Sequence, residues 1–246
     1  MELASPGFSV YLTISWPSPQ GFTRLLRSLE PCVDFLELGL PSRSPIYDGP
    51  TIRMTHREAS SHTGPWEAMK LLAEARPSRP FIVMAYMHEH PLDRLLGEAS
   101  RAGASSVLLP DLPFEYPDMI EGYVDASRRM GLEPSLFASP KFPHRMLEIY
   151  GRHKPLLVYL GLQPATGVRL PARMLENIGL ARRLVGDTYL LAGFSISSGD
   201  QARQVLEAGA SGVVVGSHIA RVAMARGIEA AAKEACRIYE AVHGGG

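Results

Sequence analysis

The sequence predicts a single-domain α/β protein, a (β/α)8 barrel of the TIM type, and three observations carry that expectation. Short apolar runs alternate with amphipathic stretches along the whole chain. The runs are close to continuous in apolar residues, as strands buried on both faces require. Eight such units fit a parallel sheet, because parallel strands need a crossover helix between them. At 246 residues the chain is long enough for one barrel and offers no linker, low-complexity tract or charge run at which to divide it. An open doubly wound sheet shares the alternation, and counting units does not exclude it.

Taken in order, the first run is Phe8–Ile14, followed by an amphipathic stretch over Phe22–Leu29. Phe35–Leu40 is the second, closed by the breakers Gly39 and Pro41. A long interruption from Pro41 to about Thr63 follows, read as a loop. Gly64-Pro65 opens a helix over Trp66–Ala75, with proline where the first turn has no amide to lose. Phe81–Ala85 and Ser106–Leu109 flank a helix over Leu92–Ala102, which Gly103 ends. The next units are Met119–Met130, ended by Gly131, then Ser135–Ala138, Arg145–Tyr150 and Leu156–Leu160. A second interruption, Gly161 to about Pro171, precedes Arg173–Val185 and Tyr189–Ala192. Ser198-Gly-Asp-Gln201 reads as a capping box before Gln201–Ala208, which Gly209 ends. Gly212–Val215 is the last strand, with Gly216-Ser217 opening a helix and Gly244–Gly246 expected as a frayed tail.

Lys and Arg together number 25, as do Asp and Glu, so no overall field recruits nucleic acid or an anionic membrane. A phosphate-bearing small molecule would have to be held locally. The only cysteines, Cys32 and Cys236, have no metal-ligand spacing and are expected as reduced thiols of a cytoplasmic protein. No apolar run approaches the roughly 18 residues of a membrane span, and the first residues lack signal-peptide character.

Glu37 stands inside the second apolar run, where an unpaired carboxylate is costly unless a partner or a reaction uses it. Eleven positions later Asp48 lies on a Gly/Pro-rich segment, so the two acids can converge on one pocket. Gly193-Phe-Ser195 and Gly216-Ser217 end the last two strands, and with Thr166-Gly167 they form a candidate phosphate cradle. Glycine admits close approach of backbone amides, and a helix start adds unpaired N–H groups. The alternative is that these glycines only make tight turns. Tyr11, Phe81, Met84 and Tyr86 are candidate apolar walls, each also a plausible core residue. Asp111 is either a partner of the reacting groups or a loop cap. His88-Glu89-His90 has two histidines on one face but no third metal ligand; His218 either meets phosphate or points to solvent. No dinucleotide fingerprint is present.

These residues resemble a known family. Glu37-Leu-Gly-Leu-Pro41, Pro45-Ile-Tyr-Asp48-Gly-Pro-Thr-Ile52, Pro110-Asp111-Leu-Pro113, Thr166-Gly167, Gly193-Phe-Ser195-Ile-Ser197 and Val215-Gly216-Ser217 together look like the tryptophan synthase α subunit, from Tyr11 to about Arg221. The resemblance implies a retro-aldol lyase that cleaves indole-3-glycerol phosphate to indole and glyceraldehyde 3-phosphate. Glu37 would be its acid–base group and Asp48 the partner of the indole N–H. Tyr11, Tyr86, Asp111, Thr166, Gly167, Gly193, Ser195, Gly216 and Ser217 would bind substrate. It also implies no metal and no cofactor on this chain, with pyridoxal phosphate confined to a separate β-type subunit. The chain departs from the family pattern at Ser15-Trp16-Pro17 (family G-D-P), at Ser42-Arg43-Ser44 (F-S-D), at Ser195 (glycine), and at Leu162-Gln163-Pro164-Ala165. In the sixth strand Val158 stands where an aromatic residue is common. Two other functions share much of this pattern: a non-catalytic paralogue that binds a β-type partner, and a phosphate-binding barrel with another sugar-phosphate substrate.

Overall fold

The computed structural model describes residues 3–139, 144–161, 172–193 and 196–244. Its strands are β1 (Gly7–Thr13), β2 (Phe35–Gly39), β3 (Phe81–Met84), β4 (Ser106–Leu108), β5 (Glu133–Ala138), β6 (Leu157–Gly161), β7 (Tyr189–Gly193) and β8 (Gly212–Val215). All pair in parallel and in sequence order, and β8 returns to β1, so the sheet is a closed barrel. The open-sheet alternative is thereby excluded. The helices are α1 (Pro19–Leu29), α2 (Pro50–Ser60), α3 (Pro65–Ala75), α4 (Leu92–Arg101), the short α5 (Leu112–Glu115), α6 (Ile120–Arg129), α7 (His144–Arg152), α8 (Ala172–Val185), α9 (Gly199–Glu207), α10 (Ser217–Arg226) and α11 (Ile228–His243).

Two helices differ from the sequence reading. The interval read as a loop from Pro41 to Thr63 contains α2, whose buried face is Ile52, Thr55, His56 and Ala59. The spacing is helical, but two of the four inward residues are polar, so apolar periodicity does not reveal it. The sequence reading also stops short of α11, whose inward stripe is Ala231, Ala235, Ile238 and Val242. At the end of that helix Gly244 donates its amide to the Glu240 carbonyl at 2.6 Å.

Side chains alternate about the barrel wall. Residues such as Val10, Leu12, Leu36, Leu38, Phe81 and Val83 pack outward into the helical layer. Phe35, Ile82, Met84, Leu108, Phe137, Tyr159, Leu191 and Val214 fill the interior. Phe81 is therefore a core residue and not a wall of the pocket, because the pleat turns it away from Ile82 and Met84. Glycines make room for interior tyrosines: a Cβ on Gly39 would collide with the Tyr11 ring, and one on Gly193 with the Tyr159 ring. The interior aromatic of β6 is thus Tyr159, which stacks on Phe137 with centroids 5.3 Å apart. The neighbouring Val158 faces the helices, so the absence of an aromatic residue there removes nothing from the interior.

The cysteines correct an expectation. Cys32 and Cys236 are not free thiols; they form a disulfide across a sequence separation of 204, with Cα atoms 4.8 Å apart. Cys32 ends the 3₁₀ turn after α1, and α11 packs on both α1 and that turn. The spacing rules for short disulfide frameworks see nothing of such a pair, because only the closing of the barrel brings the two ends of the chain together. A link of this span constrains nearly the whole unfolded chain. Cys32→Ser is expected to cost about 2–4 kcal/mol in denaturant titration without reductant. Thiol titration of the unfolded, unreduced protein should find no free cysteine; two free thiols would show that packing alone joins the ends.

Candidate active site

The register of β1, β2 and β3 places Glu37 between Tyr11 and Ile82, and both neighbours face the barrel interior. Glu37 is fully buried, and neither carboxyl oxygen has a hydrogen-bond partner. Burial first, and the charge of Asp48 second, push its pKa up to about 8. A carboxyl in this state carries its proton at neutral pH and can give it up without a large change in driving force.

Asp48 reaches the same region from the turn that precedes α2. Its amide donates to the Pro45 carbonyl at 3.1 Å, and Gly49 then caps the helix. Tyr86 donates its hydroxyl to Asp48 Oδ2 at 2.7 Å and accepts the Tyr47 amide at 3.2 Å. Tyr86 is therefore tied to the acid and is not simply an apolar wall. Tyr11 meets His56 Nε2 through its hydroxyl at 2.9 Å. Burial, and then the Asp48 charge, hold Tyr11 well above the usual tyrosine range, so it remains a hydroxyl. Tyr159 is raised likewise by burial and by Glu37 and Asp48. Tyrosines thus face the two acids from three sides, with Met84 and Phe137 as the apolar part of the interior.

Asp111 is fully buried and accepts from the Met87 and His88 amides at 3.0 and 2.9 Å and from His88 Nδ1 at 3.0 Å. Its carboxylate fixes the turn after β3, which is the capping role. Glu89 accepts the Ser42 hydroxyl at 2.9 Å, the Ser44 amide at 2.7 Å and the Arg43 amide at 3.3 Å. The 42–44 segment, which carries no acid of its own, thus gathers around one presented from the neighbouring turn. The His88-Glu89-His90 segment is thereby a latch between two loops. Among the described residues no cluster of three or more His, Cys, Asp or Glu is placed to hold a metal ion.

At the same end of the barrel, Gly216 precedes the first turn of α10 without a side-chain cap, and Ser217 begins the helix. The opening amides of that turn have no intrahelical acceptor. A Cβ on Gly216 would sit 3.1 Å from Tyr11 Cβ, so this helix start lies directly against the strand that carries Tyr11. Gly193 ends β7, but the ring of Tyr159 already requires its missing side chain. His218 meets Glu234 on α11 at 2.9 Å and stays partly exposed to solvent. Thr166, Gly167 and Ser195 lie outside the described residues. The sequence reading missed Ser42, Thr55, His56 and Tyr159. The only available signal was the helical spacing of 52, 55, 56 and 59.

A closed parallel barrel, with a buried proton-bearing carboxyl and a second acid at the C-terminal ends of its strands, defines a barrel of the enzyme class. The family model described as tryptophan synthase alpha chain matches residues 2–243, and the chain belongs to that family. It is 29% identical over 224 residues to the tryptophan synthase alpha chain of Sulfurisphaera tokodaii, spanning 90% of this chain and 91% of the relative. It is 33% identical to that of Thermococcus kodakarensis, over 84% of each. The Pyrococcus furiosus tryptophan synthase A-subunit superposes with a TM-score of 0.88 at 26% identity, covering 98% of this chain and 99% of that one.

The state of Glu37 gives a stability signature. Its folded pKa of about 8 lies above its ordinary value of 4.5. Between those values the native state holds a proton that the unfolded chain has released, so this site's contribution is full below 4.5 and is lost as pH rises toward 8. Glu37→Gln keeps the shape without the titration. It should melt higher than the parent protein, by a margin that widens from about pH 5 to about pH 8. Parallel melting curves across that range would mean that Glu37 is ionised in the fold.

Proposed function

We propose that this chain is a lyase that cleaves indole-3-glycerol phosphate to indole and glyceraldehyde 3-phosphate in tryptophan biosynthesis, with Glu37 as its acid–base group. The unpartnered, proton-bearing carboxyl of Glu37 beside Asp48 carries this reading. The reaction needs a proton on indole C3 and the loss of one from the hydroxyl on the adjoining carbon. Glu37 gives its proton to C3, and positive charge develops on the ring nitrogen. The Asp48 carboxylate, oriented by Tyr86, accepts the indole N–H and stabilises that charge. The Glu37 carboxylate then takes the hydroxyl proton as the new aldehyde forms. The C3–carbon bond breaks, and its electron pair restores the indole. Glu37 ends protonated, as it began, so one carboxyl serves both steps and no redox partner enters.

The phosphate is read onto the opening amides of α10 at Gly216 and Ser217, with Gly193, Ser195, Thr166 and Gly167 contributing from the adjoining loops. The indole would lie among Tyr11, Met84, Phe137 and Tyr159. Asp111 acts at one remove, through the turn that presents Tyr86. Cofactor chemistry belongs to a β-type partner that carries pyridoxal phosphate and consumes the indole. The exchange of an acid for Ser44 and the arrival of Arg43 alter the charge of the loop that such a partner would meet. A conventional β subunit is therefore expected to bind weakly, and one with compensating acidic groups to bind well.

Indole release from indole-3-glycerol phosphate by the purified protein tests the reading. Glu37→Gln should lower turnover by more than about 10²–10⁴-fold while a glycerol-phosphate analogue still binds. Parent-like release by this variant would remove Glu37 from the chemistry. Inorganic phosphate should compete with substrate, and Gly216→Val should raise KM. A dephosphorylated analogue that binds as well as its phosphorylated form would overturn the phosphate assignment. Titrating a conventional β subunit into the same assay tests the partner, since strong activation at low concentration would show that residues 42–44 do not limit docking.

A further inference from the structure

His56 takes no step in the reaction above, yet it is a buried side chain that joins three parts of the site. It lies on the inner face of α2, is 2% exposed, and meets three groups. The Ser42 amide donates to its Nδ1 at 3.1 Å. Its Nε2 lies 2.9 Å from the Tyr11 hydroxyl and 3.5 Å from Asp48 Oδ2. A backbone amide can only donate, so the nitrogen that faces it carries no proton. The ring is then neutral, and its one N–H sits on Nε2, between the Tyr11 oxygen and the Asp48 carboxylate.

The surrounding packing holds the ring in that pose. Thr55, one residue earlier, bonds Thr13 of β1 hydroxyl to hydroxyl at 2.7 Å. Ser60 donates to the Ser42 carbonyl at 3.3 Å, and Trp16 donates its indole N–H to Glu58 at 2.7 Å. The Tyr11 ring lies over Gly39, one inward position beyond Glu37 on the same strand, so its hydroxyl stands on the C-terminal side of that acid. Glu37 from β2, Asp48 from the turn before α2, and Thr13 on β1 all act on this hydroxyl.

We propose that His56 is a positioning residue. Its neutral imidazole, locked by the Ser42 amide with the proton on Nε2, sets the Tyr11 hydroxyl and the Asp48 carboxylate in register with Glu37. The Tyr11 oxygen accepts a hydrogen bond from the His56 Nε2–H, which leaves the Tyr11 hydrogen directed away from the imidazole. Asp48 stands on a turn, and its carboxylate is held on one side by the Tyr86 hydroxyl. His56 adds a second contact to the same carboxylate, and it makes the geometry of both groups depend on the backbone at Ser42. The role rests on the lyase reading given above, whereas the tautomer does not.

Two measurements test the inference. A long-range ¹⁵N–¹H correlation spectrum of the histidine rings in the full-length protein at neutral pH should show His56 with Nε2 protonated and Nδ1 bare, assigned by loss of the signal in His56→Phe. A doubly protonated ring or the opposite tautomer would overturn the proposal even if the protein proves to be no lyase. In the indole-release assay, His56→Phe fills the space without a donor, and His56→Asn keeps an acceptor for Ser42 but cannot reach Tyr11. Both should lower kcat by about a hundredfold with KM little changed, the scale of a misplaced reacting group. His56→Gln, whose amide nitrogen reaches the Nε2 position, should stay within about tenfold of the parent. Equal kcat in Phe, Gln and parent would reduce His56 to a space-filling residue, and melting temperatures of all three separate that result from loss of the fold. A parent protein that releases no indole would count against the lyase reading and not against the tautomer.

Discussion

A carboxyl with no hydrogen-bond partner, fully enclosed by a parallel barrel, is the constraint to which the rest of this structure answers. An ionised carboxylate in that place would cost many kcal/mol of lost hydration, so Glu37 keeps its proton. Ordinary folding preferences would replace such a residue with leucine. The barrel tolerates it because the surrounding wall is rigid and supplied by separate strands: Tyr11 and Ile82 flank it in register, and Tyr159 faces it from β6. None of these neighbours donates to it. A donor would favour the charged form and lower the pKa, and the group would then have no proton to give.

The second acid is handled in the opposite way. Asp48 is not on a strand, and a carboxylate on a turn has no fixed direction unless other elements impose one. Tyr86 and the α2 helix do so. Through Thr55, His56, Glu58 and Ser60 that helix is tied to the ends of β1 and β2. Glu89 draws the intervening 42–44 segment to the turn after β3, and Asp111 fixes that turn in place. Two of the departures from the family pattern, at Ser15-Trp16-Pro17 and at Ser42-Arg43-Ser44, fall within this network. Trp16 meets Glu58, and Ser42, Arg43 and Ser44 all donate to Glu89. These substitutions belong together as one repacked edge of the barrel mouth, and they leave Glu37 and Asp48 untouched.

Closure joins the ends of the chain as well. β8 pairs with β1, α11 lies across α1, and the Cys32–Cys236 link fastens that contact. The strand carrying Tyr11 is held from both sides, by β2 with Glu37 and by β8 with the Gly216 helix start. Glu37 and the Gly216 helix start thus flank one strand.

The sequence alone determined an α/β fold of eight parallel units, because strands buried on both faces leave nearly continuous apolar runs and parallel pairing demands helices between them. That the sheet closes into a barrel, which the motifs implied by resemblance, was decided by the pairing of β8 with β1. The sequence determined Glu37 for a related reason: a charge-bearing residue in an apolar run is conspicuous against its neighbours. Asp48 and the Gly216-Ser217 helix start were legible from turn chemistry and resemblance. The α2 helix was not, since its inward face carries Thr55 and His56 and shows little apolar period. Nor were the Tyr86–Asp48 bond, the Glu89 latch, the inward choice of Tyr159 over Val158, or the disulfide. Each of these joins residues on different elements, and the register of strands and the closing of the barrel decide which side chains meet. Local pattern specifies what each segment becomes; only tertiary packing decides what stands opposite it.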